Sequence, residues 1–224
     1  MKELLPLEKR EVLRYLGYKR RHELTTEIDE LVEDAMVEVQ VKSTPRYHYQ
    51  FFEIEKTANQ EIKVLGTNLV LTGRDIWRYL AKADGVALLA VTLGTEIEQV
   101  IRRYEITELT RALVLDAACT EYIEKVCDLA QTDMAQSADE LGFAINQRYS
   151  PGYGDLPLSL QPAFLASLQA DQKLGITLTA DFLMIPRKSV TAVIGLFTDA
   201  KDAKPKFRSC SQCQNFCEFR KGGA

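Results

Sequence analysis

The chain has 224 residues, 46% of them hydrophobic, enough to bury a substantial core in one large domain or two small ones. Its formal charge of -4 provides no global field that favours nucleic acid or an anionic membrane, and no apolar run approaches the ~20 residues that cross a bilayer. The opening Met1-Lys-Glu-Leu-Leu-Pro-Leu-Glu-Lys9 lacks the apolar core of a secretory signal, so a cytoplasmic location is expected.

Leu7 to Tyr18 reads as a short helix, with Leu7, Val12, Leu13 and Leu16 on one side and Gly17 as its stop. A second helix is expected over Thr26 to Val39, where Ile28, Leu31, Val32, Ala35 and Met36 follow helical spacing and Thr25 or Thr26 supplies the cap. From Pro45 to Leu71 the period changes. Tyr47 to Ile54, Ile62 to Leu65 and Leu69 to Leu71 read as short strands, with turns at Asn59 and Gly66.

Thr72 to Leu80 is expected to be helical, with Ile76, Tyr79 and Leu80 inward and Trp77 packing rather than stacking on a ligand. Gly85 to Gly94 is a continuous apolar run of strand length between glycines, which predicts a buried central strand. Thr95 then opens a helix, with Thr95 and Glu98 spaced as a capping box. The strand, glycine turn and helix start could hold an anion, but the glutamates of the first turn already suit the helix dipole and favour a structural role.

The longest helical pattern spans about Glu105 to Leu141, with an expected interruption near Thr132 to Ala138. Ala112, Leu113, Leu115, Ala117, Ala118, Tyr122, Ile123, Val126 and Leu129 form its expected apolar face, and Asp116 is expected to be partly buried among them. Cys119 and Cys127 are expected to pack as small apolar groups. Farther on, Pro162 to Ala170 reads as a helix, with Gly175 ending that segment. Ile176 to Thr179 and Ser189 to Phe197 read as strands linked through Met184 to Lys188. Helices and short strands in non-alternating order predict an α+β fold with a mixed, largely antiparallel sheet and packed helices. The expected organisation is one domain over 1–200 and a basic, cysteine-containing tail over 201–224.

Between the long helix and Pro162 lies Arg148-Tyr-Ser-Pro-Gly-Tyr-Gly-Asp-Leu-Pro157, a shaped loop. Pro151 fixes its own φ and biases Ser150 toward extended geometry, while Gly152 and Gly154 permit angles or close approach that a Cβ would forbid. Arg148 offers a fork of donors suited to a carboxylate or phosphate, and Tyr153 an aromatic face suited to a cation. Together they suit a zwitterionic ligand with an extra positive centre. The plainer reading is a Pro-Gly turn whose arginine pairs with a structural carboxylate.

The pattern Arg148-x-x-x-Gly152-Tyr153 resembles the motif of the S-adenosylmethionine-binding activation domain of cobalamin-dependent methionine synthase. The order of features over roughly 105–200, from long helix to motif, short helix and a Pro-x-x-Ser-Val stretch leading into an apolar strand, is similar to that domain. Glu11-Val-Leu-Arg-Tyr-Leu-Gly-Tyr18 resembles the start of related stand-alone proteins. The stretch Gly154 to Gln161 and the tail depart from the family, and no part of the chain resembles the modules for homocysteine, folate or cobalamin.

The resemblance implies an S-adenosylmethionine-binding accessory protein rather than a complete enzyme. Its partners would be a cobalamin-binding methionine synthase or other corrinoid protein and an electron donor. It gives Arg148 the methionine carboxylate, the backbone around Ser150, Pro151 and Gly152 the polar edges of the ligand, and Tyr153 a place against it. No catalytic acid or base is implied, since a sulfonium is already a good leaving group and the reduced cobalt is the nucleophile.

The five cysteines make a poor disulfide framework for a chain of this size. Cys210, Cys213 and Cys217 are flanked by Lys204, Lys206, Arg208, Arg220 and Lys221, which favour thiolates, and their spacing could meet one soft metal. Zinc completed by a fourth ligand, an iron-sulfur cluster with an open position, redox chemistry and a plain tail all stay open. This supports an alternative reading as a metal or redox accessory protein working through the tail.

Overall fold

The computed structural model describes residues 5–18 and 24–203. In chain order the elements are α1 (Lys9–Tyr15), α2 (Thr26–Lys42), β1 (Arg46–Lys56), β2 (Ile62–Val64), β3 (Val70–Leu71), α3 (Arg74–Tyr79), β4 (Gly85–Thr92), α4 (Thr95–Thr107) and α5 (Leu109–Glu140). There follow β5 (Ala144–Ile145), a 3-10 turn (Leu158–Leu160), α6 (Gln161–Leu168), α7 (Ala170–Leu174), β6 (Thr177–Leu178), β7 (Met184–Ile185) and β8 (Ser189–Phe197). Contacts sort them into two compact units, one drawing on residues up to 45 and 93–126, the other on 46–92 and 127–203.

The first unit is helical. Thr25 caps α2 by accepting the Ile28 amide, and α1 ends where Gly17 takes φ +81. Val12, Val32, Ala35, Val39, Ile97 and Leu115 are buried, as their helical spacing requires. The start of α4 differs from the expected capping box. Gly94, which has no side chain to cap with, and not Thr95, stands at the N-cap with φ +87, and Glu98 pairs with Arg102 at 2.6 Å.

The long helix also differs from expectation. Glu108 breaks the backbone (φ -150, ψ 72), and α5 then runs without interruption through 132–138. Nothing there is Gly or Pro, and the polar side chains bond in ways that leave the helix intact: Thr132 donates back to the Asp128 carbonyl one turn earlier, and Ser137 bonds across to Tyr49. The apolar face is broad, as the spacing predicts. Ala112, Leu115, Ala117, Ala118, Tyr122, Ile123 and Val126 are buried, joined by Val114, Cys119, Cys127 and Ala130, whereas Leu113 and Leu129 are exposed. Cys119 and Cys127 are buried as expected. Asp116 is half-buried; the deeply buried carboxylate is Glu121.

The second unit is built on a six-stranded antiparallel sheet in the order β3-β2-β1-β4-β8-β5. All eight residues of β4 are buried because the strand is flanked by β1 and β8 and covered on both faces. Residues directly opposite share a face. Val86, Leu88, Val193 and Phe197 therefore meet Ile76, Leu80, Phe164, Leu168 and Leu174 of α3, α6 and α7 in one core, with Trp77 packed against it. The other face carries Tyr47, Tyr49, Leu89 and Ala192, and the end of α5 lies on it, where Asp133 accepts both tyrosine hydroxyls at 3.2 Å. The expected strand near Ile176 is half of a hairpin, because β7, read from sequence as a linker, pairs with it. The fold is α+β, a largely antiparallel sheet with helices packed on it. Among the described residues no helix is long and apolar enough to cross a membrane.

Candidate functional site

The site is assembled by the chain between α5 and α6. Gly142 takes φ +82 past the end of α5, and the Gly142 and Phe143 amides reach back to Asp139 and Ala138, closing the helix so that β5 can begin at once. β5 joins the edge of β8, and Tyr149 pairs with Val193 through two main-chain bonds of 2.9 and 2.8 Å. The loop therefore hangs from the sheet on both sides of Arg148.

The loop itself is two turns. Ser150 accepts the Tyr153 amide at 3.1 Å, with Pro151 at the second position and Gly152 at the third with φ +95, the arrangement of a type II turn. Tyr153 accepts the Leu156 amide at 3.0 Å, and Gly152 donates to Leu156 at 2.7 Å, closing the ring of residues. The amides of Gly152 and Tyr153 are thus held inside the loop. Pro151 and Leu156 are buried beneath it, while the Tyr153 ring is 61% exposed.

Beneath the loop sits a group of tyrosines and carboxylates. The Tyr149 ring lies 5.1 Å from Tyr79 and edge-on to Tyr153 at 6.3 Å, and its hydroxyl donates to the Tyr153 carbonyl at 3.2 Å. Tyr79 donates to the Gln147 carbonyl. A Cβ on Gly154 would fall 2.5 Å from the Tyr149 hydroxyl and 2.7 Å from an Asp75 oxygen, so only glycine fits there. Asp155 accepts the amides of Arg74 and Asp75 at 2.6 and 3.1 Å and so caps α3 across 81 residues of sequence. Desolvation opposes its charge, but the amides of Asp75 and Arg74 together hold it below the usual carboxylate range. Burial, then the charges of Asp75 and Asp155, raise Tyr149, and burial likewise lifts Tyr79 far above the usual range. Both phenols stay protonated at neutral pH.

Arg148 faces the other side of the strand. Its Nη1 donates to Asp128 at 2.9 Å and to Gln131 at 3.1 Å, both one helical turn apart on α5. The guanidinium is largely enclosed, its side chain 19% exposed, but the Asp128 side chain is 66% exposed. The loop thus presents a positive fork beside a carboxylate that water reaches, a pairing complementary to a zwitterion.

Of the residues expected from sequence, Arg148, Ser150, Pro151, Gly152 and Tyr153 share this loop. The arginine does pair with a carboxylate of the fold, as the plainer reading anticipated. Sequence reading missed Asp128, Gln131, Asn146, Asp155 and Tyr79, which lie up to 81 residues from the groups they hold and carry no local signal. Cys210, Cys213 and Cys217 lie outside the described residues. Among the described residues no group of three or more His, Cys, Asp or Glu side chains is arranged to hold a metal ion.

No protein-family model and no curated protein matches the chain. Among solved structures it is similar to the MetH reactivation domain, crystallised with AdoHcy bound, at a TM-score of 0.60 and 15% identity over 88% of this chain and 80% of that one. The fold is therefore that of the reactivation domain.

Proposed function

We propose that the chain is an S-adenosylmethionine-binding accessory protein supporting the reductive methylation of cobalamin on a partner, a methionine synthase or related corrinoid methyltransferase. One observation carries the reading: Arg148-x-x-x-Gly152-Tyr153 forms a rigid loop on the reactivation-domain fold, with Arg148 beside the water-exposed Asp128. In this reading Arg148 takes the ligand's carboxylate, Asp128 shares its charge with the ammonium group, and Tyr153 covers the ligand. The chemistry served is transfer of a methyl group from a sulfonium to the reduced cobalt of the partner, with electrons from a donor protein. The chain's contribution is positioning, and no proton need move on its residues.

Calorimetric titration with S-adenosylmethionine and AdoHcy tests this. Saturable binding, weakened by Arg148→Ala, is expected; a wild-type chain that binds neither ligand overturns it.

The spacing of Cys210, Cys213 and Cys217 among basic residues favours a second reading, a soft-metal or cluster site in the tail of a redox accessory protein. Metal analysis and an absorbance spectrum of anaerobically purified protein test it. A bound metal lost on replacing all three cysteines with serine supports the reading; no metal in the intact chain rejects it.

A further inference from the structure

We infer that Asn146 is the positioning residue that aims Arg148, because its side chain locks a one-residue slip in the pairing of the site strand with β8. The inference rests on the reading of Arg148 as the ligand's carboxylate contact. The slip is visible in the register. Ala144 stands opposite Phe197 and Ile145 opposite Leu196, a pattern that, continued, sets Asn146 against Gly195 and Arg148 against Val193. Instead Tyr149 stands opposite Val193. Residues 146–148 therefore face only Gly195 and Ile194, which makes this a β-bulge.

A shift of one residue exchanges the faces of a strand. Val193 belongs to the core made with α3 and α6, so an unslipped strand would drive the Arg148 guanidinium toward Leu80 and Phe197. With the slip, Tyr149 takes that place at 8% exposure, and Arg148 swings to the opposite face, where Asp128 and Gln131 receive it. The bulge thus decides which of two neighbouring residues is core and which is site.

Asn146 holds it there. A regular ladder would have Gly195 donate to the main-chain carbonyl of Asn146. Here the Asn146 side-chain oxygen accepts that amide at 2.7 Å, while the Asn146 amide reaches Gly195 O at 3.3 Å. Asn146 is 5% exposed, so no water can readily replace this acceptor. The Gln147 carbonyl, within the bulge, takes the Tyr79 hydroxyl. Two main-chain groups at the slip, the Gly195 amide and the Gln147 carbonyl, thus have side-chain partners.

The test compares wild type with Asn146→Ala and Asn146→Leu, which lack the acceptor, and Asn146→Asp, which keeps an oxygen in place. Two quantities are read: AdoHcy affinity by calorimetry and Gly195 amide exchange by nuclear magnetic resonance. Loss of the acceptor should weaken AdoHcy at least ~10-fold and speed Gly195 exchange at least ~10-fold, with Asn146→Asp within about 3-fold of wild type in both. Unchanged affinity and exchange in Asn146→Leu, or an Asn146→Asp as damaged as Asn146→Ala, overturns the inference. Should wild type itself bind no AdoHcy, the proposed function fails, and Gly195 exchange alone decides the register: faster in Asn146→Leu than in Asn146→Asp supports it, equal rates refute it.

Discussion

Of the arginines that meet a carboxylate, Arg111 and Arg148 have surroundings that give them different work. In the helical unit, Arg111 bonds Glu38 at 3.2 Å and lies 4.7 Å over the Tyr104 ring, while the Tyr104 hydroxyl donates to the same Glu38 at 2.9 Å. Glu38 is 14% exposed and held by two donors. In the sheet unit, Arg148 pairs with Asp128, which is 66% exposed. The enclosed carboxylate cannot leave its arginine without being stranded, so that pair fastens helices together. The open one can turn to water or to a ligand's ammonium at little cost, so its arginine can be handed to a carboxylate from outside. Burial of the acid, more than identity of the base, separates a structural pair from a binding pair.

Substitutions should separate the two. Arg148→Ala should have the largest effect and should act on binding: a charge-assisted contact worth about 1.5–3 kcal/mol is lost, so the dissociation constant for S-adenosylmethionine rises ~10- to 100-fold by calorimetry, with the urea midpoint nearly unchanged. An Arg148→Ala protein that binds normally breaks the comparison on its functional side. Arg111→Ala should do the reverse, lowering folding stability in urea by about 1–2 kcal/mol through the lost bonds and ring contact while ligand affinity stays within about 2-fold.

The buried Glu121 of the helical unit sharpens the contrast through pH. Burial raises its pKa, against the pull of Lys125 and with the added push of Glu11 and Glu8. A carboxylate raised in the folded state favours folding most below its unfolded pKa, and that contribution is lost as pH rises through the folded pKa. Thermal melts should therefore show Glu121→Gln gaining relative to wild type between the ordinary glutamate range and neutrality, with the difference vanishing in acid; a pH-independent difference would contradict this. Asp128→Asn should give the smallest effect, less than about 1 kcal/mol on stability by chemical denaturation, since its acid is exposed. A loss as large as that from Arg111→Ala would mean that Asp128 is structural after all.

Much of this protein was legible without coordinates. The strands of β1, β4 and β8, the caps at Thr25 and Gly17, and the turn at Pro151 and Gly152 follow from period, β-branching and the special backbone freedom of two residue types, all of which act within a few residues. Errors fell where a local rule had a competitor. Thr95 and Glu98 have capping-box spacing, yet Glu98 pairs with Arg102 one turn along the same helix; the 132–138 stretch looks like a break, yet contacts to the sheet far away in sequence keep it helical.

The site divides the same way. Sequence by itself determined that the residues from Arg148 to Tyr153 form a shaped loop offering one cation and the aromatic face of Tyr153, because proline fixes its own φ and glycine permits angles other residues avoid wherever they stand. Only the tertiary structure decided what the loop faces. The slip against β8, the Asn146 side chain that holds it, Asp155 capping α3 and the choice of Asp128 as partner all join residues about 20 to 81 positions apart. Side chains that distant meet only after the sheet has formed, when pairing register has already assigned each residue to the core or to the surface.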